Sequence, residues 1–315
     1  MFRKAWTDRF SALKPPRIHG ALTELVGNTP LVRLKRLAEE DGVSPDVEIW
    51  GKLEYANPGG SIKDRPARQI LLDAIEAGHL GNGQILLDST SGNTGVAYAM
   101  LGASLGVPVH LVMPKNVSPQ RKHIVTTFGA EIIYSDPMEG SDGAIKLVRE
   151  ILEDDTDGRY FFANQYGNDS NPRAHERTTA REIWAQTDGR ITHFLAATGT
   201  SGTIMGTGRG LKAKNPDVQV IAAQPASAFH GLEGLKHMAS SIVPPIYKER
   251  ELDDTVWLET EPGWEMAERM AIVEGIAAGN SAGANVHAAL QLAKGLERGV
   301  IVTVICDHAD RYMGE

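Results

Sequence analysis

A few stretches of this chain combine residue types and spacings that suit chemistry. Residues 54–64, Glu-Tyr-Ala-Asn-Pro-Gly-Gly-Ser-Ile-Lys-Asp, form a turn-rich segment that delivers one lysine, Lys63, at the head of a helical stretch. The proline and paired glycines fix a tight loop and let backbone come close to something bulky. A lysine held beside the free N–H groups of a helix start suits an amine that must act as a nucleophile or form an imine. By spacing alone, a loop followed by a solvated lysine fits equally well. Two further loops, Thr90-Ser-Gly-Asn-Thr94 and Gly199-Thr-Ser-Gly-Thr203, put hydroxyls and glycine between a strand and a helix. Helix N-termini offer unpaired N–H groups to anions, so 199–203 suits a phosphate and 90–94 a carboxylate or phosphate. A tight turn or a Ser/Thr helix cap is the alternative for each. Gly279-Asn-Ser-Ala-Gly283 has the Gly-x-Ser-x-Gly form of a hydrolase nucleophile, but Ser281 would have only His287 and His308 as bases, which makes that reading weak.

These loops need strands and helices to aim them, and the pattern supplies both. Residues 47–53, 85–88, 107–113, 131–134, 160–164, 191–197, 218–223, 256–259 and 300–306 are apolar runs of strand length. Helical stretches are expected over 64–76, 96–106, 120–128, 141–152, 173–187, 207–214, 264–273 and 284–297, the first with Ile70, Leu71, Ala74 and Ile75 on one stripe. Residues 225–254 have no clear period and read as a long surface or active-site loop. Strand and helix alternate almost throughout, which predicts an α/β fold with mainly parallel sheets and ligands at the carboxyl ends of the strands. No fixed-period repeat and no Pro/Gly/Ser linker separates two halves, so two domains would be interleaved.

The composition narrows the partners. A chain of 315 residues with 42% hydrophobic and 23% charged residues is ordinary for a soluble globular protein. With 32 basic against 40 acidic residues, the net charge of -8 argues against a nucleic-acid-binding surface. The single cysteine, Cys306, rules out an intrachain disulfide and a thiolate metal cluster, and fits a reducing cytoplasm. Residues 1–19 are mixed and basic, read as a loosely attached arm, and lack the apolar run of a secretory signal. The longest apolar stretches fall short of the ~20 residues of a membrane span. A dinucleotide fingerprint after a strand, a Walker A sequence and metal-ligand histidine spacing are all missing; Gly206-Thr-Gly-Arg-Gly210 is only faintly similar to the first and lies inside a helix.

Taken together, Asn57-Pro-Gly-Gly-Ser-Ile-Lys-Asp-Arg65, Thr90-Ser-Gly-Asn-Thr-Gly95 and Gly199-Thr-Ser-Gly-Thr203 resemble the cysteine synthase and cystathionine β-synthase family, fold-type II enzymes that use pyridoxal 5'-phosphate. The resemblance covers roughly residues 20–313 and leans to the cysteine synthase B branch through residues 160–168, 191–194 and 305–312. It implies two interleaved open-sheet domains, a smaller mobile one over 55–160 and a larger one joining 1–54 with 161–315. It also implies a homodimer. By the same resemblance Lys63 would carry the cofactor and then take the substrate Cα proton, Asn93 would bond the cofactor ring oxygen, and Gly199, Thr200, Ser201, Gly202 and Thr203 would hold its phosphate. Ser281 would meet the pyridine nitrogen, while Thr90, Ser91, Asn93, Thr94 and Gln165 would take the substrate carboxylate.

The activity so implied is β-replacement on an O-activated L-serine, foremost O-acetyl-L-serine plus sulfide giving L-cysteine and acetate. Alternatives are O-phosphoserine sulfhydrylase, cystathionine or diaminopropionate synthase, a serine/threonine dehydratase, or a catalytically silent relative that binds an amino acid or a partner protein. Some positions depart from the family pattern. His308 stands where cysteine synthase A relatives have a serine, which leaves His308 and Cys306 as candidate neighbours of the ring. Ala226 replaces the arginine that phosphoserine-using relatives place after a proline, with His230, Lys236 or Arg209 as possible substitutes. The chain stops at Glu315, where relatives continue into a tail that helps cover the site.

Overall fold

Apolar runs bounded by glycine turns become strands covered on both faces, as parallel sheets require. The computed structural model describes residues 20–312; the arm expected over 1–19 lies outside the described residues. In chain order, β1 (Leu31–Arg33), α1 (Lys35–Glu40) and β2 (Val47–Leu53) lead through a single 3-10 turn (Glu54–Ala56) to α2 (Asp64–Glu76). Then come β3 (Ile85–Ser89), α3 (Asn93–Leu105), β4 (Val109–Pro114), α4 (Pro119–Thr127), β5 (Glu131–Ser135), α5 (Gly140–Asp154) and β6 (Tyr160–Phe162). The rest is α6 (Ser170–Arg177), α7 (Thr179–Gln186), β7 (His193–Ala197), α8 (Gly202–Lys212), β8 (Gln219–Pro225), β9 (Asp254–Leu258), α9 (Thr260–Glu274), α10 (Asn280–Lys294) and β10 (Gly299–Ile305).

The strands form two sheets, a six-stranded one in the order β1-β2-β10-β7-β8-β9 and a four-stranded one in the order β5-β4-β3-β6. Every neighbouring pair is parallel except β1 with β2. The α/β fold expected from the alternation is therefore present. Period-two patterning decides which helix covers which face. Along β10, Ile301 and Ile305 pack with Ile49, Met270 and Val286 beneath α9 and α10. Val302 and Val304 point the other way, onto Phe194, Ile183 and Ile204 beneath α7 and α8. In the smaller sheet Leu86 and Leu111 join Ile70 and Leu101 of α2 and α3, while Leu87 and Val112 meet Val148 of α5. Helix α3 is buried from Thr94 to Gly102, as its all-round apolar sequence demands. No helix among the described residues is long and apolar enough to cross a membrane.

Departures from the expected elements are local. The helix read as 284–297 begins at Asn280, because extended Gly279 (φ −70°, ψ 165°) caps it, which puts Ser281 in its first turn. The helix read as 173–187 is broken at Thr178 (φ −121°, ψ −72°) into α6 and α7. Helix α1 is too short for its period to show in the sequence.

One polar cluster runs through this apolar frame. Glu54 and Arg65 are buried and joined by two bonds, Arg65 Nε and Nη2 donating to the two Glu54 oxygens at 2.6 and 2.7 Å. Arg65 also donates to Glu182, Thr178 and Thr29, and fully buried Lys52 donates to Glu182, Gln186 and the Thr29 carbonyl. Removing one member of a buried pair leaves the other charged and unmatched, which costs about 3–5 kcal/mol. Glu54→Ala is accordingly expected to lose about that much stability by urea denaturation; a loss below about 1 kcal/mol would mean that solvent replaces the carboxylate.

Candidate active site

Lys63 sits immediately before α2, with its N–H donating to Ser61 Oγ at 3.2 Å. Its loop is clamped against the end of β10: Ser61 bridges Asp307, and the Ile62 N–H donates to the Cys306 carbonyl at 2.9 Å. Gly60 turns the loop at φ 77°, a conformation a side chain would strain, while a Cβ on Gly59 would collide with the Asp64 carboxylate. Asp64 accepts from the Gly59 N–H, yet its Oδ1 is buried without a partner among the described residues. Burial pushes its carboxyl up to about 7 against the pull of that bond.

The loop after β3 and the start of α3 form the opposite wall. Thr94 Oγ1 donates to Gln165 Oε1 at 2.8 Å, which ties the two residues into one unit. Behind them Asp88 accepts from the Ser89 and Gln165 N–H groups, and burial pushes it up to about 7. Asn93 Nδ2 donates to Asp307 Oδ2 at 2.6 Å, across the gap between the two sheets.

The third wall is the loop between β7 and α8. Ser201 adopts φ 69°, and its buried hydroxyl has no partner among the described residues. Thr200 and Thr203 are aimed from behind by α6. Asn171 Nδ2 reaches Thr200 Oγ1 at 3.1 Å and the Gln165 carbonyl at 2.7 Å, and His175 Nε2 lies 3.2 Å from Thr203 Oγ1. Burial, reinforced by Arg65, pushes His175 down to about 3, so it is neutral in that role. A Cβ at Gly199 would strike the Gly234 carbonyl and one at Gly202 the Asn171 side chain, so both positions need glycine. Asn171 and His175 did not stand out in the sequence, since an i, i+4 polar pair on a short helix is ordinary; the glycines of α8 facing them were the available signal.

A cavity of about 670 Å³ joins these walls. Lys63, Thr90, Ser91, Asn93, Thr94, Gln165, Gly199, Thr200, Ser201, Thr203 and Ser281 all line it, whereas Gly202 lies behind the surface. Cys306 also lines it; burial pushes its thiol up to about 12 and Ser281 bonds to it. His308 instead packs edge-on against Tyr55, its centroid 5.5 Å away, and faces Asp310 at 3.2 Å. Neither His308 nor His287 lines the cavity, so neither histidine is placed to serve Ser281 as a hydrolase base. Of the candidate anion partners, Arg209 is paired with Glu251 elsewhere and only Lys236 reaches the cleft, its Nζ 5.0 Å from the Tyr166 ring centroid.

Residues 22–307 match the family described as pyridoxal-phosphate dependent enzyme. The chain belongs to that family. It is 53% identical over 296 residues to the cysteine synthase of Aquifex aeolicus, covering 93% of this chain and 90% of that one. It is 41% identical to cysteine synthase B of Pseudomonas aeruginosa, over 93% and 95% of the two chains. The solved structure of O-acetyl serine sulfhydrylase isoform 3 from Entamoeba histolytica superposes with a TM-score of 0.91 at 35% identity, covering 96% of this chain and 92% of that one. The protein is thus a pyridoxal-phosphate-dependent enzyme with the fold-type II architecture. The cleft suits that cofactor on its own chemistry: an amine at a helix start, and a glycine-hydroxyl cradle with an unpartnered buried Ser201 hydroxyl at the N-terminus of α8.

Asn171→Ala removes the brace behind Thr200 and is expected to weaken pyridoxal phosphate binding to the apoprotein roughly tenfold, the scale of one lost hydrogen bond, by fluorescence titration. Asp64 makes a pH prediction. A carboxyl raised from its ordinary 3.8 to about 7 contributes stability that is full below 3.8 and lost as pH rises to about 7. Asp64→Asn is expected to lose that slope, so the stability gap between variant and parent should change across pH 4–7 by denaturant titration; a constant gap overturns the assignment.

Proposed function

We propose that this enzyme catalyses β-replacement on O-acetyl-L-serine with sulfide, releasing acetate and forming L-cysteine. The observation that carries this reading is the convergence of Lys63, the anion cradle at 199–203 and the polar loop at 90–94 on one cavity. Relatives named cysteine synthase at 53% and 41% identity support the choice of reaction. Bound pyridoxal phosphate supplies the electron sink for the pair left on Cα. Lys63 would hold the cofactor through Nζ and would take the substrate Cα proton on the same atom. Gly199, Thr200, Ser201, Gly202 and Thr203 hold the phosphate through backbone N–H groups and hydroxyls. Asn93 donates to the ring oxygen. Ser281 meets the ring nitrogen with a neutral hydroxyl rather than a carboxylate. Thr90, Ser91, Asn93, Thr94 and Gln165 bind the substrate carboxylate, with Thr94 and Gln165 acting as a pair.

Carboxylate binding at 90–94 draws the smaller unit, 55–160, onto the larger unit formed by 1–54 with 161–315, which excludes water during the reaction. The enzyme works in the cytoplasm as a homodimer.

A second reading rests on Lys236. Half-buried at the cleft, it gives an O-phosphoserine leaving group a cationic neighbour in place of the arginine absent at Ala226. Supplying O-acetylserine, O-phosphoserine, serine or threonine separately with sulfide, and measuring cysteine and 2-oxobutanoate, separates the readings. Cysteine from O-acetylserine far faster than from O-phosphoserine is the expected result. Preference for O-phosphoserine gives the second reading, and 2-oxobutanoate from threonine alone gives a dehydratase. Lys63→Ala is expected to abolish turnover and to lose the cofactor that borohydride fixes in the parent.

A further inference from the structure

Asp307 is the charged residue most deeply placed in this cleft that the reaction as described leaves without a task. It follows β10, is 2% exposed, and stands beside Lys63's loop through the bridge to Ser61. Its Oδ2 accepts from Asn93 Nδ2 and from the Tyr312 hydroxyl, both at 2.6 Å. Its Oδ1 is buried with no partner among the described residues. The place where Gly279 would carry a side chain is filled by Asp307 and Tyr312, so the carboxylate is wedged from that side. Arg311 fixes the same segment by donating to the Gly59 carbonyl. Nothing in this arrangement lets Asp307 swing away from Asn93.

A primary amide has two nearly equal faces, and only its partners settle which way the NH₂ points. An ionised carboxylate accepts and cannot donate, so it admits only the NH₂ side of Asn93. That leaves the second N–H of the same nitrogen for the cavity, which Asn93 lines. Asn93 opens α3, the helix under the smaller sheet, whereas Asp307 lies just beyond the end of β10, a central strand of the larger one. The bond therefore sets the direction of the amide and ties the start of α3 to the segment that follows β10.

We propose that Asp307 is a positioning residue that orients Asn93, presenting one amide N–H to the oxygen of the bound cofactor ring, with Tyr312 as the second anchor of the same carboxylate oxygen. The inference rests on the reading that Asn93 faces the cofactor.

The test is a cycle of Asn93→Ala, Asp307→Ala and the double variant, with Asp307→Asn alongside. The readouts are the dissociation constant of pyridoxal phosphate from each apoprotein and the pH at which the visible absorbance of each holoprotein titrates. Each single alanine variant is expected to weaken binding roughly ten- to hundredfold, the scale of a hydrogen bond to a charged group. Both should move the absorbance midpoint in one direction, and the double variant should be no worse than the worse single one. Asp307→Asn should recover much of the loss, since its amide oxygen still accepts from Asn93. Losses that multiply in the double variant, or an Asp307→Ala protein with parental values, overturn the proposal. A silent Asn93→Ala overturns it together with the role of Asn93, whereas an active effect there with a silent Asp307→Ala removes this inference alone. Should Asp307→Ala not fold, Tyr312→Phe is read instead; it loosens the same oxygen and is expected to move the midpoint in the same direction by less, and no movement overturns the proposal.

Discussion

The buried pairing of Glu54 with Arg65 is the constraint on which the site depends. Burial pushes Glu54 up, but Arg65 and Lys52 outweigh it and hold the carboxyl below its ordinary range. Arg65 lies two residues beyond Lys63, and Glu54 follows directly on the strand that leads into its loop. Asn57 closes the circuit, with Nδ2 donating to Glu54 and Oδ1 accepting from the Gly27 N–H. A loop of glycines and one proline would otherwise sample many conformations. Here both of its ends are fixed to one charge cluster, so the lysine has a single place to be. Ion pairs of this kind are poor sources of net stability, because desolvation offsets the attraction. Their value in this fold is placement.

Placement continues outward from that cluster. Glu182, which neutralises both Arg65 and Lys52, sits on α7, and Thr178 at the break between α6 and α7 accepts from Arg65. Helix α6 in turn carries Asn171 and His175, which hold Thr200 and Thr203 of the 199–203 loop. The lysine and the cradle, far apart in sequence, are thus referred to one set of charges. The wall at 90–94 belongs to the other sheet and meets this frame through Thr94 with Gln165 and through Asn93 with Asp307.

Much of this was legible in the sequence, and the reasons differ by residue. Lys63, Asn93 and the 199–203 loop lie in strand-to-helix turns whose glycines and hydroxyls mark them locally, and the alternation of apolar runs gave the α/β class. Ser281 was visible as a hydroxyl near a glycine, although its helix starts earlier than the apolar pattern suggests, because the first turn carries small residues. Asn171, His175 and Asp307 gave no local signal. Each acts through a partner distant in the chain, and a polar residue becomes unusual only once burial is known. The roles of His308 and Cys306 were open for the same reason: both lie beyond the end of β10, where strand alternation no longer sets direction, and only the packing says which faces the cleft.

The strand β10 occupies the middle of the larger sheet, between β2 and β7, although it is the last to be made. Leu53, at the threshold of the lysine loop, is in register with Ile305, and Ile62 hangs on the Cys306 carbonyl. A growing chain that has not yet released residues 299–307 from the ribosome therefore has a gap in its sheet and an untethered Lys63. Sequence-distant pairing of this kind is slow and closes late. The setting of Lys63 is therefore complete only once β10 has slotted between β2 and β7.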